Sequence, residues 1–544
     1  MAPNDNGIAK HVLLSSHSAD ARMSDLLARL QSTRIETGPH ALPVRRTDRL
    51  AFQVTILLIA ALLIRVWQFG NPVIHVDEQF YLLVGDRMLQ GDLPYVDIWD
   101  RKPVGLFLIY AAIRLLGGTG IVEYQVVATL FATVTALLIA RIGMRIGSGF
   151  GGMSAGIAYL CWLMIFGGDG GQSPVFYNAF MAGAALLTLN AVTDRALPLP
   201  KLAATGAVVM LLAGIAMQVK YTALFEGVFF GLALMWKAWR IGERPAAMIG
   251  LALGWVGIAL APTALAWAYY AVRGYSEIFF FSNFLSIFNR PPSPTRDLIS
   301  RLSEMFLYSA PLWLCAFASI RGKFDAGTFQ PADGAKTFVI AWLVAATLGL
   351  LLFGSYYDHY FLPVLVPLTA MIVPLVGAPG SGLNLFQINR RPITTPFIAV
   401  LAVMALVAAK IIIYDNVKGR GDGAAIDRIA AVVEPRLTNC MFVFDVEAIL
   451  YMKTNSCFNS RYVFSPHLSS FWEDNAAGVN TQAEVRRILD GKPNIIITSA
   501  DIEQQPNLAT WLMVRRELEQ KYRRIYAEKI GYGTRLVYER LPGA

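Results

Sequence analysis

Charge is what this chain has least of. Only 16% of its 544 residues are Asp, Glu, Lys or Arg, against 55% hydrophobic residues, whereas an average soluble domain carries about 25% charged residues. That shortage excludes an ordinary soluble enzyme. Cysteine is scarce too: four residues are too few for a disulfide scaffold. Cys161 and Cys315 fall in apolar runs and read as inert core residues, while Cys440 and Cys457 fall in the polar C-terminal part, where a disulfide is available in an oxidising compartment. Histidine is rarer than lysine or arginine, at six residues. No zinc spacing, P-loop, dinucleotide fingerprint or Ser/His/Asp constellation is present. The formal charge of +9 does not argue for nucleic acid, because Lys and Arg sit mainly between apolar runs, as membrane topology requires.

What is abundant is apolar sequence in membrane-length runs. Eleven are visible: 51–69, 121–140, 149–166, 175–193, 202–217, 221–236, 246–272, 303–320, 336–354, 359–376 and 393–413. The stretch 104–116 is too short to cross a hydrocarbon core of about 30 Å, since a helix rises only about 1.5 Å per residue; it reads as an interfacial helix. Leaving it out puts Arg141, Arg145, Arg195, Lys201, Lys237, Arg240, Arg244, Arg321, Lys323, Lys336, Arg390 and Arg391 on the side of the N-terminus, in keeping with the positive-inside rule. The stretch from Leu202 to Trp236 is too long for one crossing and is expected to break near Gln218-Val219-Lys220. Residues 1–48 read as a cytoplasmic tail without a cleavable signal, 49–416 as the membrane domain, and 417–544 as a small α/β domain on the opposite face. In the last, Met441–Asp445 and Asn494–Thr498 read as buried strands, 481–490 and 508–524 as helices, and Tyr526 and Val537-Tyr538 as closing strands. Gly377–Gly382 reads as a short flexible loop.

The polar residues are concentrated in a few places. His75-Val76-Asp77-Glu78-Gln79-Phe80-Tyr81 follows the first apolar run, and Asp92-Leu93-Pro94-Tyr95-Val96-Asp97-Ile98-Trp99-Asp100-Arg101-Lys102-Pro103 comes soon after. Carboxylates at a membrane surface are costly unless paired or functional. Asp77 suits the N-cap of a helix over 79–90, a role compatible with catalysis. Lys102 precedes the start of the short helix, where backbone amides and a cation together form an anion site; a lysine snorkelling at the interface is the plainer alternative. Tyr81, Tyr95, Asp97, Trp99 and Arg101 complete the cluster as candidate substrate contacts, although Asp97 and Asp100 could simply pair with Arg101. On the same face fall Asp169, in a Gly-rich loop; Lys220, the one cation of its 35-residue stretch; and Tyr356, Tyr357 and His359 beside Tyr360. Tyrosines there also suit an aromatic belt. Arg273, Arg290, Arg296 and Arg301 crowd a loop on that face against the charge bias, which an anionic ligand would explain.

The pattern D-E, then G-x-x-P-Y-x-D-x-W-D-x-K-P, and later Y-Y-x-H-Y-F-x-P resembles the GT-C superfamily of polyprenyl-phosphate-sugar glycosyltransferases. The nearest branches are the protein mannosyltransferases, the lipid A aminoarabinose transferases and the lipopolysaccharide galacturonosyltransferases. The resemblance is strongest over 51–120 and weaker over 340–370, and this chain has Lys102-Pro103-Val104-Gly105 where the family often has K-P-P-L. It implies a polytopic α-helical GT-C fold with interfacial helices in the first outer loop. It also implies Asp77 as base or acceptor-positioning group, Lys102 as ligand of the lipid phosphate, and Tyr356, Tyr357 and His359 as phosphate neighbours. Asp77, Glu78 and Asp169 are accordingly the candidate catalytic carboxylates. Partners would be a polyprenyl-phosphate-linked sugar, an acceptor (lipid A, core oligosaccharide, another glycan or protein) and membrane lipids, at the periplasmic face of a bacterial inner membrane. No cofactor is required, though Asp77 and Glu78 could bind a divalent metal. A lipid or solute transporter and a non-catalytic polysaccharide-assembly component are the competing readings; the absence of an internal repeat and the gathering of charge at one face weigh against transport.

Overall fold

A computed structural model describes residues 46–321, 332–376, 387–388, 391–392, 394–502 and 505–543. The tail expected over 1–48 lies outside this set up to residue 45, as does the loop expected at Gly377–Gly382 and, with it, Lys323 and Arg390.

Eleven long helical segments fall where the apolar runs lie. They are α1 (Leu50–Arg65), α4 (Ile121–Ile146), α5 (Gly149–Ile165), α6 (Ser173–Thr193), α7 (Leu199–Met217), α8 (Ala223–Arg240), α9 (Pro245–Ala271), α10 (Thr295–Arg321), α11 (Ala335–Phe353), a segment from Asp358 through α12 (Leu362–Ala370) to Leu375, and α13 (Thr394–Arg420). Nine of these segments are long and apolar enough to cross a membrane by length and composition; α5 is shorter at 17 residues, and α8, with 18, carries Glu226, Lys237 and Arg240. Their connections show that all eleven run end to end. At one end Ala332 N donates to Arg145 O (3.3 Å), Arg195 pairs with Asp333, and Lys237 Nζ donates to Asp194 O. At the other end Arg65 reaches the α5–α6 loop, Leu106 N donates to Gln218 O (3.1 Å), Tyr95 to Asn283 Oδ1 (3.3 Å) and Arg301 to Ser355 O (3.0 Å). Every odd-numbered connection meets at that second end. α7 stops at Met217 and α8 starts at Ala223, so the long apolar stretch breaks at the expected place.

The first connection carries two short helices, α2 (Val76–Leu89) and α3 (Val104–Arg114). With 11 residues α3 cannot span a bilayer. It crosses α2 at Gly85, where a Cβ would stand 2.7 Å from Ala111 N; only glycine allows that approach. α2 starts before the expected boundary. His75 is its N-cap, with extended backbone, and Asp77 and Glu78 occupy the first turn, where the helix dipole favours carboxylates. Asp77 is therefore not the cap.

After α13 come α14 (Gly423–Val433), β1 (Phe442–Val443), α15 (Thr481–Asp490), β2 (Ile495–Ser499), α16 (Leu508–Lys521), β3 (Tyr522–Ile530) and β4 (Gly533–Arg540). The sheet order is β1-β2-β4-β3, with β1 parallel to β2 and the other pairs antiparallel. All five residues of β2 are buried, because both faces of the strand are covered. Ile496, with Phe442 and Phe444, packs under Val485, Ile488, Val514 and Leu518 of α15 and α16. Ile495 and Ile497 face the other way, into a core continuous with that of the membrane helices.

Cys440 and Cys457 form a disulfide, and Cys161 and Cys315 are buried thiols. Mass spectrometry after alkylation without reduction is expected to find label only on the two buried cysteines after denaturation. Cys440→Ser should cost about 3 kcal/mol, from the loss of a short closed loop, read as a lower thermal midpoint.

Candidate active site at the first loop

Charge meets the edge of the bundle at the end of α1. Arg65 is fully buried: its Nε donates to Thr129 Oγ1 (3.0 Å), its Nη1 to Gly168 O (2.5 Å) and its Nη2 to Gly170 O (2.9 Å). A buried cation demands such partners. It fixes the loop Gly167–Gln172 against α1 and draws in acids: Asp169 accepts from His75 Nε2 at 2.5 Å, and Glu78 lies against Gly170, where a Cβ would come 1.9 Å from its Oε2. Burial opposes the charge on Asp169, but the His75 cation and its hydrogen bond outweigh that and hold the carboxyl low. His75 is raised in turn: burial works against its charge, and Asp169 overcomes it. Burial and the neighbouring Asp169 push Glu78 upward. Glu78 and Asp169 thus belong to an enclosed charge knot.

Asp77 faces the other way. Successive helical residues point about 100° apart, so when Glu78 turns into the bundle Asp77 turns out of it. Its Oδ2 stands 4.0 Å from Lys102 Nζ and accepts from Gln172 Nε2 at 3.4 Å; its side chain is 26% exposed and that of Lys102 24%. Burial raises the carboxyl, but the Lys102 charge prevails and its pKa falls to about 2. Burial works against the Lys102 ammonium, yet Asp77 and Asp100 raise it. Asp100 is buried, accepts from Arg101 N at 2.5 Å and is raised by that burial.

Other connections deliver cations to the same place. Lys220 Nζ sits 3.8 Å from the centre of the Tyr360 ring, in an almost fully buried setting, and burial with the Lys102 charge pushes its pKa well down. Tyr360 packs edge-on against His359 (4.8 Å) and Tyr357 (5.7 Å). Arg301 stacks on Tyr357 (4.6 Å), and Arg290 lies beside Tyr357 and Tyr360. Beside Lys220 a small cavity of about 30 Å³ lies between α6, α8, α11 and α12, lined by Tyr177, Phe225, Glu226, Leu350 and Tyr360; Glu226 is fixed by Trp342 Nε1 at 2.7 Å. Among the described residues, no group of three His, Cys, Asp or Glu side chains is arranged to hold a metal.

The remaining sequence candidates scatter around this centre. Tyr81 packs on Tyr110 and Phe107 with Lys102 Nζ 5.5 Å from its ring. Tyr95 has a positive φ of 71° and lies beneath the site, its hydroxyl donating to Lys102 O at 2.8 Å. Asp97 closes its own loop by accepting from Leu93 N (2.7 Å). Trp99 is buried against His467 (4.7 Å), and Arg101 pairs with Glu473 (2.7 Å), both in the C-terminal part. Tyr356 turns back to donate to Leu351 O (3.1 Å). Lys220, Tyr357 and His359 do gather with Asp77 and Lys102. Sequence reasoning passed over Arg65 and Gln172. A lone arginine inside the first apolar run was the available signal; nothing marked Gln172. Of the crowded arginines it noted, Arg290 and Arg301 reach the site, and Arg273 lies over Tyr269.

No protein-family model and no curated protein sequence matches the chain. Among solved structures, it is similar to ArnT from Cupriavidus metallidurans bound to undecaprenyl phosphate, with a TM-score of 0.59 at 14% identity over 91% of this chain and 98% of that one. A weaker likeness, with a TM-score of 0.48 at 9% identity, joins it to the Archaeoglobus fulgidus oligosaccharyltransferase over 84% of this chain and 70% of that one. The first of these shows that the chain has the GT-C fold.

Two outcomes test the division between knot and cleft. Arg65→Ala and Asp169→Asn should each lose about 3–5 kcal/mol, because each strands a buried charge, whereas Asp77→Asn should cost far less; chemical or thermal unfolding in detergent measures both. The Asp77 pKa is depressed in the folded chain, so its stabilisation is present above the ordinary carboxylate pKa near 4 and is lost as pH falls through about 2. The stability difference between wild type and Asp77→Asn is expected to stay constant from about pH 8 to about pH 5 and to close below about pH 4.

Proposed function

We propose that this chain, with its GT-C fold, is an inverting glycosyltransferase that moves a sugar from a polyprenyl phosphate to a hydroxyl of an envelope acceptor. The observation that carries the reading is the Asp77–Lys102 pair at 4.0 Å, joined by Lys220 and Arg290 from two other connections. One cleft-facing carboxylate among several cations suits a reaction that takes a proton from an acceptor and leaves negative charge on a phosphate. The likeness to a protein crystallised with undecaprenyl phosphate supports that donor class.

In this reading the acceptor oxygen attacks C1 of the sugar while Asp77 takes its proton. The bond from C1 to the phosphate oxygen breaks, and the phosphate leaves with the electron pair. Lys102 and Arg290 stabilise the developing charge from fixed positions, and Lys220, whose ammonium is disfavoured by burial and by Lys102, gains its charge beside the phosphate. Paired with Lys102, Asp77 is a weak base; a phosphate that occupies Lys102 relieves the pairing and strengthens it. No cofactor is required, and a divalent ion, if used, would have Asp77 as its cleft-facing carboxylate.

Charge and redox chemistry together support one orientation of the molecule. Arg141, Arg145, Arg195, Lys237 and Arg240 belong to the end opposite the site, as the positive-inside rule asks of the cytoplasmic end. The Cys440–Cys457 disulfide lies in the part that packs on the site end, which suits an oxidising compartment. The site and the C-terminal part then face the periplasm of a bacterial inner membrane, where lipid A, core oligosaccharide, another glycan or a protein could be the acceptor.

Asp77→Asn and Lys102→Ala should each reduce sugar transfer by about 10²–10⁴-fold with little change in thermal midpoint. Turnover of purified protein on a polyprenyl-phosphate sugar, alongside mass spectrometry of envelope glycolipids, measures this; near-normal transfer by both variants contradicts the assignment.

A further inference from the structure

The carboxylate of Glu473 belongs to the C-terminal part, far along the chain from the cleft residues. It is nearly fully buried, and its Oε1 accepts from Arg101 Nη1 at 2.7 Å and forms an ion pair with Arg290, whose Nε stands 3.2 Å away. Arg101 adjoins Lys102 in the chain, and Arg290 comes from the α9–α10 connection and lies beside Tyr357 and Tyr360. One acid therefore ties the first loop, the fourth outer connection and the C-terminal part together at the edge of the proposed phosphate site.

A carboxylate is an unexpected neighbour for an anion site, since by charge alone it repels the ligand. Two features reverse that expectation. Its charge is shared by two guanidinium groups, so the three together remain net positive. Its ion pair with Arg290 is nearest through Nε, and although Tyr357 hydrogen-bonds the same guanidinium, a rigid fork of five N–H donors keeps others for a further partner. A phosphate oxygen pair is the partner such a fork matches best.

We propose that Glu473 is a positioning residue for polyprenyl-phosphate binding: by holding Arg290 through Nε it aims the arginine fork at the phosphate, so that the C-terminal part completes the site. This rests on the polyprenyl-phosphate reading above. It differs from a plain domain staple, which would hold the parts together without regard to ligand charge.

Titration of full-length protein in detergent with undecaprenyl phosphate and, as neutral control, undecaprenol separates the two. Glu473→Gln and Arg290→Gln are each expected to weaken phosphate binding about tenfold, the scale of one charge-assisted hydrogen bond, with undecaprenol binding unchanged. The double variant should bind no more weakly than Arg290→Gln alone, and Glu473→Asp should recover part of the loss. Equal losses for phosphate and alcohol, additive losses in the double variant, unchanged binding in Glu473→Gln or tighter binding there would each overturn the positioning role. Wild type that binds the phosphate no better than the alcohol would overturn the donor reading beneath it.

Discussion

The desolvation of one guanidinium organises this molecule. Arg65 lies at the end of the first long helix, wholly withdrawn from solvent, and its hydrogen bonds go to Thr129, Gly168 and Gly170. Because an unpaired charge there would be prohibitive, the loop between α5 and α6 must fold onto α1. That brings Asp169 to His75 and places Gly170 too close to Glu78 for any side chain. With Glu78 turned inward, helix geometry turns Asp77 outward toward Lys102. The exposure of Asp77 to the cleft is thus a consequence of where neighbouring charges are neutralised.

Much of this was legible in the residues. The apolar runs marked eleven helical segments, the excess length between Leu202 and Trp236 marked the break before Lys220, and the shortness of 104–116 marked a helix that does not cross. These depend on length and hydropathy, which are local properties. The strands and helices of the C-terminal part were legible for the same reason, since their periodicity is local. The rotation of α2 was not. Asp77 and Glu78 are chemically almost alike, and what sends one to the cleft and the other to the knot is a partner nearly a hundred residues away. Tyr95, Asp97, Trp99 and Arg101 likewise sit in a motif that reads as one unit. The fold distributes them among a strained loop, a backbone cap and a contact with the C-terminal part.

That last contact changes how the C-terminal part is understood. By composition it reads as a separate α/β domain. Yet Ile495 and Ile497 belong to the same core as the membrane helices, Phe80 packs on Phe464 at 4.8 Å, and Gln79 accepts from Ile449 N at 3.2 Å. The sheet packs against α14 and the end of α13 as well as its own helices, and segments beside it, at Ile449, Phe464, His467 and Glu473, meet the first loop. A cleft roofed in this way holds its charged groups at fixed positions, which is what stabilising a departing phosphate requires.

The central claim is that Lys102 and Lys220 meet a lipid phosphate beside Asp77. A cryo-electron microscopy structure of the protein with undecaprenyl phosphate tests it most directly. The expected map shows the phosphate within about 4 Å of Lys102 Nζ, the range of a direct ion pair. Phosphate density at any other cation, with the Asp77–Lys102 pair left intact, would contradict the account.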